Sequence, residues 1–184
     1  MNKGEWKKLQ AEYIIQSNWL SVRKDAYKTP DGEVVDDFYV VERPDFVVII
    51  PLTIEEKFVL VEQYRHGLER EIMNFPMGFI NEGEEPIRAA ARELLEETGF
   101  SGGNLEFIGN FFLAPPIMKT VAHVFFANGV IHSGKSNNEE PAEISNVVLV
   151  NQSQIEKFIE TGKLNDLVSL CSYLLMERKW PLNN

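Results

Sequence analysis

The sequence contains one cysteine, Cys171, among its 184 residues, so no disulfide bond can form within the chain. Disulfide bonds are typical of oxidising compartments, and we therefore expect a cytoplasmic protein in a reducing environment. Cys171 lies in the apolar segment L-V-S-L-C-S-Y-L-L. This position predicts a buried thiol in the core rather than a reactive one.

Long apolar runs and an excess of basic residues are also absent. No run of ~18 apolar residues exists, so we expect no membrane-spanning helix. The first ten residues lack the apolar stretch of a signal peptide, so we expect no secretion signal. With 18 basic and 28 acidic residues the net charge is −10, which disfavours binding to nucleic acid or to an anionic membrane.

The most informative segment of the chain is residues 78–100. It has a glycine at 78, a glutamate at 84 after five intervening residues, and the charged block R-E-L-L-E-E-T-G-F at 92–100 after seven more. Pro86 suits the first turn of a helix, and Gly99 suits its left-handed end. Clustered carboxylates repel one another unless a cation such as Mg²⁺ or Mn²⁺ neutralises them, so the pattern is compatible with a metal site. The alternative interpretation is an acidic helix face that is exposed to solvent. One face of this helix is expected to carry Glu93, Glu96 and Glu97. The buried side is expected to carry Ile87, Ala90, Ala91, Leu94 and Leu95.

Alternating apolar residues and turn signals divide the rest of the chain into further elements. The turn signal Pro30-Asp31-Gly32 predicts a hairpin of residues 21–27 and 34–41. Other strands are expected at 46–52, 57–64, 71–75, 105–113, 121–128 and 147–150, a polar loop at 132–141, and helices at 152–161 and 165–179. The last helix is expected to bury Leu167, Leu170, Tyr173, Leu174 and Met176. This order predicts an α/β (α+β) fold, an α/β/α sandwich around a mixed sheet.

The segment 78–100 resembles the Nudix box, G-x5-E-x7-R-E-U-x-E-E-x-G-U, in which U is apolar. All nine defined positions match: Gly78, Glu84, Arg92, Glu93, Leu94, Glu96, Glu97, Gly99 and Phe100. The resemblance implies the Nudix fold. It also implies a metal-dependent hydrolase that cleaves the diphosphate of a nucleoside diphosphate linked to a further group.

The resemblance also implies roles for single residues. Glu93, Glu96 and Glu97 would bind Mg²⁺ or Mn²⁺, helped by a backbone carbonyl near Met77. Glu84 would support the box together with Gly78 and Gly99, and Arg92 would orient the glutamates. The catalytic base would come from a late loop that contains Glu139, Glu140 and Glu143. The expected catalytic residues are therefore Glu140, Glu143, Arg92 and Glu96.

Outside the box the chain resembles the ADP-ribose pyrophosphatase-like branch of the family. The resemblance lies in V-E-Q-Y-R at 61–65, F-P-M-G at 75–78 and Pro115-Pro116. It implies a nucleotide-sugar substrate, above all ADP-ribose, and a homodimer. The dimer and some substrate contacts would use an N-terminal β extension at 1–45, ahead of a hydrolase domain at 46–184. The expected substrate-binding residues are Arg65, Trp19, Glu71 and Pro115.

Alternatives stay open for these residues and for the substrate. Arg65 would bind a phosphate or ribose, or else form an ion pair with Glu69 or Glu71. Asn74 stands where the branch usually has a glutamate, and A-P-P-I-M-K-T at 114–120 departs from its Ser-Pro-Gly pattern. Other possible substrates are GDP-mannose, a dinucleoside polyphosphate or NADH. A non-catalytic ligand sensor with the same fold is the alternative from another class.

Overall fold

Residues 4–134 and 145–181 are described by the structure, a computed structural model, and they fall into two units. The first unit takes in the chain up to Asp45 together with Phe112–Val121. The second takes in Phe46–Phe111 and the chain from Ala122 onwards. None of the helices in the described ranges is long and apolar enough to cross a membrane.

The first unit is built on a three-stranded antiparallel sheet. Its strands are β1 (Lys7–Gln16), β2 (Ser21–Lys28) and β3 (Val34–Glu42), in that order across the sheet. The predicted hairpin of β2 and β3 is confirmed, with Gly32 in the left-handed region at a φ of 95° in the connecting turn. β1 adds a strand to the other edge of β2.

A buried carboxylate, Asp25, lies at the centre of the three-stranded sheet. It has no exposed surface and accepts hydrogen bonds from Arg23 Nε at 2.9 and 3.1 Å and from Tyr27 Oη at 3.1 Å. Lys8 Nζ lies 3.2 Å away, and Arg23 also contacts Glu42. Burial opposes ionisation of Asp25, but these donors outweigh it and hold the pKa of the carboxyl below its ordinary value.

The second unit contains a mixed sheet and three helices. The helices are α1 (Pro86–Thr98), α2 (Gln152–Glu160) and α3 (Leu167–Lys179). The strands are β4 (Phe46–Thr53), β5 (Phe58–Arg65), β6 (Arg70–Asn74), β7 (Met77–Phe79), β8 (Phe100–Ser101), β9 (Asn104–Phe112), β10 (Val121–His132) and β11 (Ser145–Val150).

The strand order of this sheet is β11-β5-β4-β10-β8, with β6 beside β5, β7 beside β4 and β9 beside β10. β4 and β10 pair in parallel, from Ala122 opposite Phe46 onwards, whereas β5 pairs antiparallel with β6 and β11. β4 is buried along its whole length and lies at the centre of the sheet. Its alternate residues therefore supply both cores of the unit.

The helices cover the two faces of the sheet. On one face, Ala89, Ala90 and Leu94 of α1 pack with Val47 and Ile49 of β4. On the other face the core combines the opposite side of the sheet with α2 and α3, among them Val48, Ile50, Phe58, Phe75, Ile155, Tyr173 and Met176. The predicted fold class, helices on both faces of a mixed sheet, is confirmed.

Two predictions about α3 are wrong. Leu167 and Leu174 are 70% and 55% exposed, and Cys171 is also exposed. The helix instead buries Ser169, Ser172, Tyr173 and Met176, which recur at the spacing of one helical face. α3 is apolar on most sides, so its sequence did not identify which stripe faces the sheet.

Candidate active site

The predicted helix of the charged block is confirmed as α1, and local sequence explains both of its ends. Pro86 occupies the first turn, where its missing N–H leaves no bond unmade. At the other end Gly99 adopts a left-handed conformation with φ 71°, and its N–H donates to Leu95 O at 2.9 Å. The capped helix fixes the three glutamates of its second half relative to the sheet.

The buried side of α1 differs from the predicted one. Ile87 is 45% exposed and Ala91 is exposed, whereas Glu97 is only 6% exposed and lies beside Ala90 and Leu94 on the buried side. The helix has therefore turned its acidic residues partly toward the sheet. Apolar residues alone did not predict this orientation, because a buried carboxylate needs specific donors that the helix sequence does not contain.

Arg92 connects the loop between β7 and α1, which carries Glu84, with the acidic side of α1. Its Nε and Nη2 donate to the two carboxylate oxygens of Glu84 at 3.0 and 2.8 Å. Its Nη1 donates to Glu93 at 2.6 Å and to Glu96 at 3.0 Å, and Nη2 also donates to Phe79 O at 2.9 Å. The guanidinium lowers the pKa of Glu84 below its ordinary value, so this carboxylate is charged at neutral pH.

Gly78 allows the Glu93 carboxylate to lie against the backbone of β7. A Cβ atom at position 78 would come within 2.0 Å of Glu93 Cδ and 2.1 Å of its Oε2, much closer than atoms can approach. The glycine at the start of the box is therefore required by this close approach rather than by an unusual φ.

Glu97 is the most buried of the three glutamates, and each of its carboxylate oxygens accepts a hydrogen bond. Gln63 Nε2 donates to Oε1 and the Met77 backbone N–H donates to Oε2, both at 3.0 Å. Burial raises the pKa of Glu97 to about 7, helped by the nearby charge of Glu93 and opposed by the two donors and by Arg65. A cation beside this carboxylate would favour its charged form.

Arg65 lies on the same face of β5 as Gln63, two residues further along the strand. Its Nη2 donates to Asn74 Oδ1 at 3.4 Å, and the Asn74 amide donates to Phe75 O at 2.9 Å. Asn74 is fully buried and neutral. The guanidinium thus has an uncharged partner at this position.

Glu71, the other expected substrate-binding residue of this hairpin, lies on the opposite face of the sheet. It pairs with Tyr64 on β5, and it lines a shallow pocket with Glu62, Lys163 and Asn165. The structure therefore brings Arg65 toward Glu97 but does not bring Glu71 there.

The donor types of the box fit a hard divalent cation, because all three glutamates offer carboxylate oxygens. Within residues 4–134 and 145–181, however, no group of three or more acidic, histidine or cysteine side chains is arranged to hold a metal ion. Arg92 engages both Glu93 and Glu96. The side chains are of the right kind, and two of them are shared with a guanidinium.

The remaining candidate residues belong to the first unit or lie outside the described residues. Trp19 is 66% exposed and lies in the turn at 17–20 of the first unit. Pro115 is also exposed in the first unit, in a turn that Ile117 N closes on Ala114 O at 3.0 Å. Glu139, Glu140 and Glu143 lie outside the described residues.

Gln63 is the site residue that the sequence analysis missed. Its amide contacts Glu97 across 34 positions of the chain. The available signal was a polar residue at an inward position of a strand that begins with four apolar residues, F-V-L-V-E-Q-Y-R. A buried polar side chain in such a strand requires a partner, although the pattern does not name that partner.

Comparison with known protein families identifies two matching regions. The family model of the NUDIX domain matches residues 42–167, more than half of the chain. The model of the nucleoside diphosphate sugar hydrolase N-terminal domain matches residues 6–41.

Characterised relatives cover most of the chain. A methanol dehydrogenase activator from Bacillus methanolicus is 28% identical over 162 residues, which cover 88% of this chain and 87% of that protein. An ADP-ribose pyrophosphatase from Bacillus subtilis (strain 168) is 29% identical over 166 residues, or 90% and 89% of the two chains. A solved structure of an ADP compounds hydrolase superposes with a TM-score of 0.85 at 23% identity and covers 98% of this chain and 96% of its own.

Proposed function

Because the chain belongs to the Nudix family, we propose that it is a metal-dependent hydrolase of a nucleoside diphosphate linked to a sugar, with ADP-ribose as the expected substrate. The observation that carries this proposal is the complete box. Within it, the buried carboxylate of Glu97 accepts hydrogen bonds from the Met77 N–H and from Gln63. Glu93 and Glu96 lie on the same helix as Glu97. The products would be a nucleoside monophosphate and a sugar phosphate.

The substrate class is supported by the relatives and by the first unit. One relative is the ADP-ribose pyrophosphatase from Bacillus subtilis. Another is an ADP-sugar pyrophosphatase from Mus musculus, which is 32% identical over 123 residues, or 61% of this chain and 56% of that protein. The match to a nucleoside diphosphate sugar hydrolase N-terminal domain at 6–41 points to the same class of substrate.

In the proposed site Glu93, Glu96 and Glu97 would hold Mg²⁺ or Mn²⁺, with the Met77 carbonyl as a further ligand. An ion held by these residues would supply positive charge for the diphosphate and for the activation of a water molecule. Arg92 and Glu84 fix the helix and the loop relative to each other. Arg65, whose partner Asn74 is neutral, has its charge available for a substrate phosphate.

In the reaction, the oxygen of a water molecule bonds to one phosphorus while the bridging P–O bond breaks, and the bridging oxygen leaves on the other phosphate. A base accepts the water proton, and we propose Glu140 or Glu143 for this role. Trp19 and Pro115 are proposed to contact the substrate outside the diphosphate.

A substrate panel tests the proposal. Release of phosphate after phosphatase coupling is measured with Mg²⁺ and with Mn²⁺ for ADP-ribose, ADP-glucose, GDP-mannose, NADH and diadenosine polyphosphates. We expect metal-dependent cleavage with ADP-ribose as the best substrate. Preference for another nucleotide would contradict the substrate assignment, and no cleavage in the whole panel would favour the ligand sensor.

The decisive variant is Glu97→Gln, which keeps the shape of the side chain and removes its charge. We expect turnover to fall roughly a hundredfold or more, because the site loses its most firmly held carboxylate. Glu160→Gln, at an exposed position of α2, is the matched control and should keep the wild-type rate. Near-normal turnover of Glu97→Gln would refute the metal-site assignment.

We also propose that the protein is a cytoplasmic homodimer. The compartment is supported by the presence of a single cysteine in the sequence. The dimer is supported by exposed apolar side chains on the first unit, which include Trp6, Tyr13, Ile14, Ile15 and Trp19.

A further inference from the structure

We propose that Gln63 is a positioning residue that sets the orientation of the Glu97 carboxylate for binding a divalent cation. The inference rests on the proposed function, in which Glu97 is a metal ligand. Gln63 is 4% exposed and Glu97 is 6% exposed, so both side chains meet in an environment to which water has little access. In such surroundings a hydrogen bond of 3.0 Å fixes orientation strongly.

The carboxylate is held at two points that come from different strands. Gln63 on β5 contacts Oε1, and the Met77 N–H on β7 contacts Oε2. Two bonds to two different oxygens fix both the position of the carboxylate and the rotation of its plane. An ionised carboxylate has about four acceptor positions, so positions remain on both oxygens for a cation.

The chemistry of the amide suits this role better than that of a cationic side chain would. An amide N–H orients the carboxylate without bringing a positive charge of its own, so that charge is left for a metal ion to supply. Arg92 differs from Gln63 in this respect, because it brings a full positive charge to Glu84, Glu93 and Glu96. The most buried carboxylate of the box is thus held by two neutral donors.

Gln63 is itself mounted on a rigid element. β5 pairs with β6 on one side, where Ile72 is opposite Gln63, and with β11 on the other. Side chains that orient a metal ligand act best when their own backbone is fixed in this way. Loss of such a partner typically costs ~10–100-fold in metal affinity or activity.

The test is Gln63→Met, which keeps approximate length and volume and removes the amide. Mn²⁺ binding is measured by electron paramagnetic resonance, without substrate, and the metal-activation constant is measured with the best substrate of the panel. We expect both dissociation and activation constants to rise ~10–100-fold, while the substrate KM at saturating metal changes less than about twofold. Gln63→Asn, which keeps the amide and shortens its reach, should show the same loss and covers the case in which the methionine variant does not fold.

The matched control is Gln152→Met. Gln152 Nε2 donates to Glu177 Oε1 at 2.9 Å, the same kind of contact far from the box in sequence. This variant should bind Mn²⁺ as the wild type does. Unchanged Mn²⁺ affinity in a folded Gln63→Met or Gln63→Asn variant would overturn the proposal, because a side chain that only fills space is replaced adequately by methionine.

The two proposals fail in different ways. A wild-type protein that binds Mn²⁺ but cleaves no nucleotide would refute the proposed reaction, while the Mn²⁺ measurement on the variants would still decide the role of Gln63. A wild-type protein that binds no Mn²⁺ would refute both.

Discussion

At Gly78 a side chain of α1 lies directly against the backbone of β7. The Glu93 carboxylate occupies the space that any Cβ would need. Burial of an extra methyl group in a packed site forces its neighbours to move, at a cost of about 1–3 kcal/mol. Here the neighbour that must move is a proposed metal ligand.

We expect Gly78→Ala to lower the free energy of unfolding by about 1–3 kcal/mol and to weaken Mn²⁺ binding, because Glu93 is displaced. Urea unfolding and Mn²⁺ titration measure the two effects. Gly67→Ala is the control, since a Cβ there meets nothing within 4 Å. An alanine at 78 that binds Mn²⁺ like the wild type would show that Glu93 is not needed in its present position.

At single residues, the resemblance to the box predicted that Arg92 contacts the glutamates, as it does at Glu93 and Glu96, but not the partners of Glu97. The box spacing identified Glu93, Glu96 and Glu97 because they are close together in the chain. Gln63 and the Met77 N–H come from strands that only the folded sheet brings beside Glu97. Contacts of this kind depend on strand pairing, which a local pattern does not specify.

At the scale of elements, predictions succeeded where the chain carries strong local signals. Pro86 begins α1 and Gly99 caps its end, and Pro30-Asp31-Gly32 forms the turn between β2 and β3. They failed where burial depends on the neighbours of an element. α3 is apolar on most sides, so the exposed Leu167 and Leu174 could not be distinguished from the buried residues before the sheet was known.

The sheet of β1, β2 and β3 depends on a buried charge, and this makes its stability sensitive to acid. The pKa of Asp25 is lowered by folding from its ordinary value of 3.8. Its stabilising contribution is therefore complete above that value and is lost as the pH falls through the lower pKa of the folded protein.

We expect Asp25→Asn to reduce the free energy of unfolding by about 3 kcal/mol at pH 7, because Arg23 and Lys8 lose a buried partner. The difference from wild type should shrink as the pH falls below about 4. Urea unfolding at several pH values measures it, with Asp37→Asn on the exposed side of β3 as the control. A difference that does not depend on pH would contradict the assigned ion pairs.

At the scale of the whole molecule, the exposed apolar surface of the first unit is the feature that supports the proposed dimer. All ten residues of β1 are exposed, and several of them are large and apolar. Apolar surface on this scale is typical of protein interfaces, and closed dimers are the commonest assemblies.

We expect the wild-type protein to sediment at twice its chain mass of 21.1 kDa. The double variant Ile14→Lys, Ile15→Lys should sediment as a monomer, because it places two charges in the proposed interface. Ile54→Lys, in the exposed turn between β4 and β5, is the control and should remain dimeric. Sedimentation of the wild type as a monomer at micromolar concentration would refute the dimer.

The parallel pairing of β4 with β10 has a consequence for how the protein is made. Ala122 pairs with Phe46, so one edge of the most buried strand has no partner until the ribosome has synthesised most of the chain. β7 and β5 can pair with β4 earlier, since they follow it closely in sequence. During translation an apolar strand edge is therefore open to solvent, and this is the stage at which the nascent chain is most exposed to aggregation and to chaperones.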